Sequence, residues 1–365
     1  MKCMSSFARF FLVLCLLPFS ALFGQNSPLP PPQLQLRPAG LSVPDRQITL
    51  DVQVTDKSGA PVRGLQRQDF TLLDDKKPAN ILSFRAIENG TGSPADPPVE
   101  IVLVVDAVNA SFQAVSYERS ELRKFLLQNG GKLALPMSLV IMTDTGTTMQ
   151  NGFSRDGNAL AALYDQYETG LRSVTRSAGV YGAVERFDAS IKTLTSLVAY
   201  EGTRPGRKLM IWFSPGWPML SGDNVKLSGK AGSQIFNSIV ALDTGLRQAR
   251  VTLYSIDPLG QADVGGNRIS DYKNFLKGVT SPSAVAVGDM SLQVLALHSG
   301  GRVLNSTNDL TAAIVECTTD ADAFYVLSFD AARADQTFDA YHALGVIVDK
   351  PGITARTRTG YYAQP

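Results

Sequence analysis

The sequence predicts an α/β protein: a doubly wound, mostly parallel sheet with helices on both faces, joined to an accessory all-β sandwich formed by N- and C-terminal segments. Three observations predict it. Val99 to Val105, interrupted only by Glu100, is an apolar run bounded by Pro97-Pro98 and Asp106. A short strand without alternation is one buried on both faces, as in parallel sheets. From Val99 to about Thr319, short apolar runs alternate with segments of helical spacing. Outside that span, from Gln47 to Asp56 and again after Thr319, the pattern is strand alone.

Taken in order, residues 1–24 hold Lys2 and Arg9, an apolar core from Phe10 to Leu22 and a small Gly24, the pattern of a secretory signal peptide too short for a stable membrane span. Cys15 lies in mid-core, which argues against a lipid anchor. The mature chain is therefore expected to be secreted or periplasmic, with no membrane span after cleavage. Cys3 and Cys15 leave with the signal, and Cys317 has no partner within the chain, so the fold must rest on its core. Residues 25–44 are a Pro-rich extended segment in which Ser27 to Pro32 cannot join a sheet.

Residues 45–88 form an N-terminal β unit. Ile48, Leu50, Val52 and Val54 share one face of a half-buried strand, and Asp74 to Pro78 connects two short strands, Phe70 to Leu73 and Ile81 to Phe84, as a polar hairpin loop. Residues 89–98 are a linker rich in Gly and Pro. Residues 99–319 carry the α/β alternation. Its helical spacing runs through Leu122, Phe125 and Leu126; Leu160, Leu163 and Tyr164; Val180 to Val198; Ile235 to Leu246; and Leu310 to Cys317. Between these lie the strands Ser138 to Met142, Leu209 to Phe213, Val251 to Ile256 and Arg302 to Leu304. Residues 320–365 return to strands, and since neither terminal set can cover its own apolar faces, they are expected to pair with residues 45–88.

Asp106 ends the central strand, at the carboxyl edge where open α/β sheets place their ligands. Its other reading is a carboxylate that orders the following loop or caps the next helix. The run Asp106-Ala107-Val108-Asn109-Ala110 stands where von Willebrand factor type A domains carry Asp-x-Ser-x-Ser, their metal-ion-dependent adhesion site. Together with VTDKSGAPVRGLQRQDFTLLDD (Val54 to Asp75), GRKLMIWFSPGWP (Gly206 to Pro218), SGGRVLNSTNDLTAAI (Ser299 to Ile314) and GYYA (Gly360 to Ala363), it resembles the secreted bacterial "VWFA-related" family described from Acidobacteria. The resemblance covers nearly the whole mature chain. It implies a Rossmann-like, von Willebrand type A-like α/β domain and an adhesion-like role.

The resemblance also implies a hard-cation site built from an aspartate, two hydroxyls, a threonine and a later aspartate, suited to Mg2+ or Ca2+. The aspartate is kept, but Val108 and Ala110 replace the hydroxyls, Ser214 replaces the later aspartate, and Thr175 or Ser177 stands for the threonine. The site is thus degenerate, and its candidate ligands are Asp106, Asn109, Ser111 and Ser214. Trp217, flanked by prolines just past the strand Leu209 to Phe213, is either an exposed interface anchor or a ring packed over the sheet end. Asp106, Ser214 and Trp217 are the candidate partner-binding residues. Asp144 and Asp257 share that edge as loop-ordering carboxylates, and Leu259 to Pro282 is a long irregular loop.

A net charge of +1 with no basic or acidic block excludes an electrostatic footprint for nucleic acid or a membrane surface. Catalysis has little to stand on. The two histidines, His298 and His342, have no nucleophile or ligand nearby in sequence, Ser214 lacks a nucleophile-elbow pattern, and Asp74-Asp75 sits in a turn where a solvated role is expected. Cys317 lies on an apolar helical face and is read as a buried thiol. The leading expectation is a non-catalytic module that binds a protein partner. The alternatives are a structural scaffold of an envelope or secretion assembly, and a hydrolase whose site is not visible.

Overall fold

The computed structural model describes residues 47–88, 97–167, 179–218, 227, 229–260, 272–331 and 338–364. The signal segment, the Pro-rich segment, most of the linker and both Thr175 and Ser177 lie outside the described residues.

The alternation of the first strand, β1 (Gln47–Thr55), drives Ile48, Leu50, Val52 and Val54 into a core. A hairpin follows, β2 (Phe70–Asp74) and β3 (Lys77–Ala79), turned by Asp75 and Lys76 at φ 49° and 66°, the left-handed pair that a tight two-residue turn requires. Then come β4 (Ile81–Glu88), the buried β5 (Glu100–Asp106), α1 (Phe112–Leu126), β6 (Lys132–Thr143), β7 (Gly146–Met149), β8 (Ser154–Asp156) and α2 (Gly157–Gln166). The α/β alternation continues through α3 (Gly179–Gly202), β9 (Lys208–Phe213), α4 (Gly229–Gln248), β10 (Val251–Ile256), α5 (Leu292–His298), β11 (Val303–Leu304) and α6 (Leu310–Thr319). The chain closes with β12 (Ala323–Asp330), β13 (Tyr341–Val348), β14 (Thr354–Arg356) and β15 (Gly360–Tyr362).

The large sheet has the order β11-β10-β9-β5-β6-β7, with β8 also on β6. Its β11, β10, β9, β5 and β6 run parallel; β7 and β8 are antiparallel. Ile101, Leu103 and Val105 of β5 pack toward α1, α2 and α6, and Val102 and Val104 toward α3, α4 and α5. Helices therefore cover both faces, which is why β5 shows no alternation. The strand order reverses at β5, whose successor β6 lies on one side and β9 on the other. Asp106 and Ser214 consequently meet at the switch-point crevice.

β6 starts at Lys132, six residues before the apolar run that marks it in the sequence. Pro136 explains the difference: its missing N–H would break a ladder in a central strand, but this stretch pairs only with β8 and does so across an irregular register.

Two four-stranded antiparallel sheets, β14-β1-β12-β4 and β15-β13-β2-β3, stack on a shared core of Ile48, Leu50, Phe70, Leu72, Tyr325, Leu327, Phe329 and Tyr361. β1 pairs with β12, and β2 with β13, so each sheet mixes strands from both ends of the chain. The other face of β12, through Phe324 and Val326, joins the core of the α/β domain. Charged groups pin this junction. Arg250 holds Asp51 at 2.5 Å, Arg356 pairs with Asp320, and Arg207 donates to the Asp320 carbonyl at 2.8 Å with its guanidinium over Phe324. Among the described residues, no helix is long and apolar enough to cross a membrane.

Candidate functional site

The β5 register carries Asp106 one step past Val104 on the same face, so its carboxylate turns under the loop leading to α1. It is fully buried. Oδ1 accepts from the backbone amides of Val108 (3.1 Å) and Asn109 (2.9 Å). Oδ2 accepts from Asn109 Nδ2 at 2.8 Å and from the indole Nε1 of Trp212 at 3.0 Å. The Ser214 hydroxyl adds a further hydrogen bond. Burial pushes the Asp106 carboxyl up from the usual carboxylate range, and these donors pull it back.

Asn109 is the hub of the loop: its Nδ2 also donates to Ser190 of α3 at 2.8 Å, tying the loop to the neighbouring helix. Ser111 caps α1, its hydroxyl accepting from Ala114 N at 3.1 Å. Ser214 Oγ accepts from Gly216 N at 3.2 Å. Beneath the loop, Glu118 of α1 is buried with both carboxyl oxygens lacking a hydrogen bond. Burial, and then the nearby Asp106 charge, hold its carboxyl well above the usual range. The two acids are thus differentiated: burial raises both, but several donors oppose the shift at Asp106 and none opposes it at Glu118.

Asp106, Asn109 and Ser214 come together; Ser111 stands apart as the helix cap. This donor set does not fit Mg2+ or Ca2+. A hard cation needs carboxylate oxygens open to it among other oxygen ligands, whereas both Asp106 oxygens face N–H groups and Ala110 and Val108 offer no hydroxyl.

Of the two readings of Trp217, the structure has the ring packed over the sheet end and not the exposed anchor. Trp217 is 4% exposed, its ring 5.2 Å from that of Trp212 in an edge-on contact, so it closes the sheet end as a packed lid. Asp106 and Ser214 are equally enclosed, which removes all three as groups that a partner could touch directly. The exposed aromatic groups of this edge are others. Phe112, first residue of α1, is 67% exposed, and Tyr181 of α3 is 73% exposed. Ser190, nine residues further along α3, bonds Asn109, so Tyr181 stands about 13 Å beyond it on the carboxyl side of the sheet.

No protein-family model matches the sequence, and no curated protein matches it. Solved structures similar to this chain include the pilus adhesin SpaC from Lactobacillus rhamnosus GG in its open conformation, at 11% identity and a TM-score of 0.38, over 85% of this chain and 47% of that one. The PilB minor pilin from Streptococcus sanguinis is similar at 12% identity and a TM-score of 0.35, over 63% of each chain. An aerotolerance-related membrane protein from Bacteroides fragilis NCTC 9343 is similar at 10% identity and a TM-score of 0.33, over 60% of this chain and 98% of that one. This chain spans about half of the SpaC chain. Similarities of this size carry no argument about function, which rests on the residues of this chain.

Asp257 orders its loop as expected, its Oδ1 accepting from Leu259 N at 3.1 Å, while residues 261–271 of the long loop after it lie outside the described residues. Cys317 is buried. His298 Nδ1 lies 2.7 Å from the Thr359 hydroxyl, and the Thr359 amide donates to the His298 carbonyl, a two-point tie between α5 and the C-terminal strands. Sequence reasoning missed Trp212, whose indole looks like one more apolar group in the run Leu209 to Phe213. It also missed Asp74, which is buried rather than solvated because Tyr361 and His342 cover it.

Proposed function

We propose that this chain is an exported, non-catalytic protein-interaction module in which a von Willebrand type A-like α/β domain offers the carboxyl edge of its sheet to a protein partner, without a metal ion at Asp106. The observation that carries the reading is Phe112. A large ring left 67% exposed beside a loop locked by five hydrogen bonds to one carboxylate is a preorganised anchor on a rigid base. Tyr181 supplies a second aromatic group on the same side. The N-terminal apolar segment supports export.

The test is site-specific photocrosslinking in the native host. A benzophenone side chain at position 112, and separately at 181, is expected to give a discrete protein adduct, and the same probe at Lys124, at the opposite end of α1, none. Equal labelling from all three positions, or none from 112 and 181, counts against the edge as the interaction surface.

A further inference from the structure

We propose that Asp74, Asp75 and His342 form a binding site for a divalent transition-metal ion of the zinc class, in the β-sandwich and independent of the Asp106 loop. The carboxylates come from the end of β2 and the hairpin turn after it, and the imidazole from β13, whose register against β2 brings Leu344 opposite Asp74. One oxygen of each aspartate and one ring nitrogen of the histidine lie within 4.8 Å of one another. His342 Nδ1 stands 2.9 Å from Asp75 Oδ2 and 3.4 Å from Asp74 Oδ1. Ligand atoms held at about 2.1 Å from a tetrahedral ion lie about 3.4 Å apart, so these separations match the edges of a coordination polyhedron.

A cluster of acids alone would mean little. Here the Asp74 side chain is buried, with the residue 8% exposed, and its Oδ1 accepts no hydrogen bond although it is aimed into the cluster. The other oxygen of each carboxylate is already engaged in holding it. Asp74 Oδ2 accepts from Tyr361 at 2.9 Å, Asp75 Oδ1 accepts from Ala343 N at 2.9 Å, and the His342 ring lies stacked on the Tyr361 ring, 5.0 Å between centroids and 15° between planes. Tyr361 therefore positions two of the three ligands at once, as outer-shell partners of metal sites do. The set of one imidazole and two carboxylates carries two negative charges and a nitrogen donor, which favours zinc, cobalt or manganese over magnesium and calcium. Because the Asp75 side chain is half exposed, positions on the ion remain for water or an external ligand. An ion here would also staple residues 268 positions apart in the chain, joining the N- and C-terminal strands of the sandwich.

The experiment is calorimetric titration of the purified, chelator-stripped, untagged full chain with zinc, magnesium and calcium, backed by the visible absorption of cobalt. One zinc per chain is expected, bound at least about tenfold more tightly than magnesium or calcium. Asp75→Asn, a change in an exposed turn, should weaken zinc by at least about tenfold, and Tyr361→Phe, which keeps the stacked ring and loses only the hydroxyl, by about ten- to a hundredfold. Asp330→Asn, an exposed carboxylate elsewhere in the sandwich, should change nothing. The cobalt band should vanish in His342→Ala. Absence of saturable zinc heat would overturn the proposal, as would binding that survives Asp75→Asn and His342→Ala, or magnesium binding as tight as zinc.

Discussion

The indole of Trp212 donates to Asp106 Oδ2 at 3.0 Å, joining the ends of the two strands that flank the switch point of the sheet. A tryptophan in the middle strand of a parallel sheet has one polar atom to satisfy, and a buried aspartate has two oxygens to satisfy; each meets the need of the other. The crevice in which such folds gather ligands is thereby filled from within, and the loop from Ala107 to Ser111 becomes a fixed part of the frame.

Trp212→Phe should test that bond, removing part of the packed ring along with it. It leaves Asp106 with one donor fewer in a site without water access, so a loss of about 1–3 kcal/mol is expected. Urea unfolding should report it as a lower midpoint with an unchanged slope. A loss under about 0.5 kcal/mol would mean that the remaining donors suffice.

Trp217→Ala should behave as a core truncation. Its ring packs edge-on against Trp212 and is nearly inaccessible, so its removal is expected to cost about 3–5 kcal/mol. Any loss of partner binding in that variant should follow the folded fraction measured by near-ultraviolet circular dichroism. Binding lost while folding is unchanged would return Trp217 to the interface.

What could be read from the sequence follows from how locally each feature is determined. β5 is legible because five consecutive apolar residues, Ile101 to Val105, ending at an aspartate admit one reading, and Asp106 is legible because it ends that strand. The polar β7 (Gly146–Met149) and β8 (Ser154–Asp156) carry no apolar pattern, because they are edge strands held by pairing with β6 rather than by burial. Trp217 is ambiguous because flanking prolines are equally compatible with a protruding loop and a folded-back one. Asp74 and His342 are joined by tertiary structure alone. Asp74 looks solvated in its turn and His342 has no partner nearby in sequence, and only the pairing of β2 with β13 brings them together.

Arg358→Met should expose how strongly the C-terminal strands are tied to the α/β domain. Arg358 is buried, bonding Asp243 Oδ1 of α4 at 2.7 Å and the Gly360 carbonyl at 2.8 Å. Its removal leaves Asp243 short of charge compensation, and a loss of about 3–5 kcal/mol is expected. The double variant Asp243→Leu with Arg358→Met should recover at least part of that loss in urea titrations, since the carboxylate left without Arg358 is then removed with it. A double variant worse than the sum of both singles would sink this account.

Glu201 should make stability fall as pH rises from about 4.5 to 7. Its carboxyl is buried near the end of α3, with Arg204 Nε 4.0 Å away and no hydrogen bond to either oxygen. Burial is the main cause that pushes its pKa from 4.5 to about 7, with Glu100 adding to the shift and Lys208 and Arg204 opposing it. Within that window the folded chain holds a proton that the unfolded chain has released. Raising the pH therefore favours the unfolded state until the folded group has also ionised. Asp289, raised by burial to about 6, acts in the same direction, so wild type alone cannot isolate Glu201. Glu201→Gln can, because it removes one group and leaves the other. Unfolding free energies from urea titrations at pH 5, 6, 7 and 8 should show the variant gaining on wild type by about 2–3 kcal/mol across the window. Parallel curves for the two proteins would mean that Glu201 ionises at the ordinary glutamate pH despite its burial, and that Lys208 and Arg204 compensate it fully.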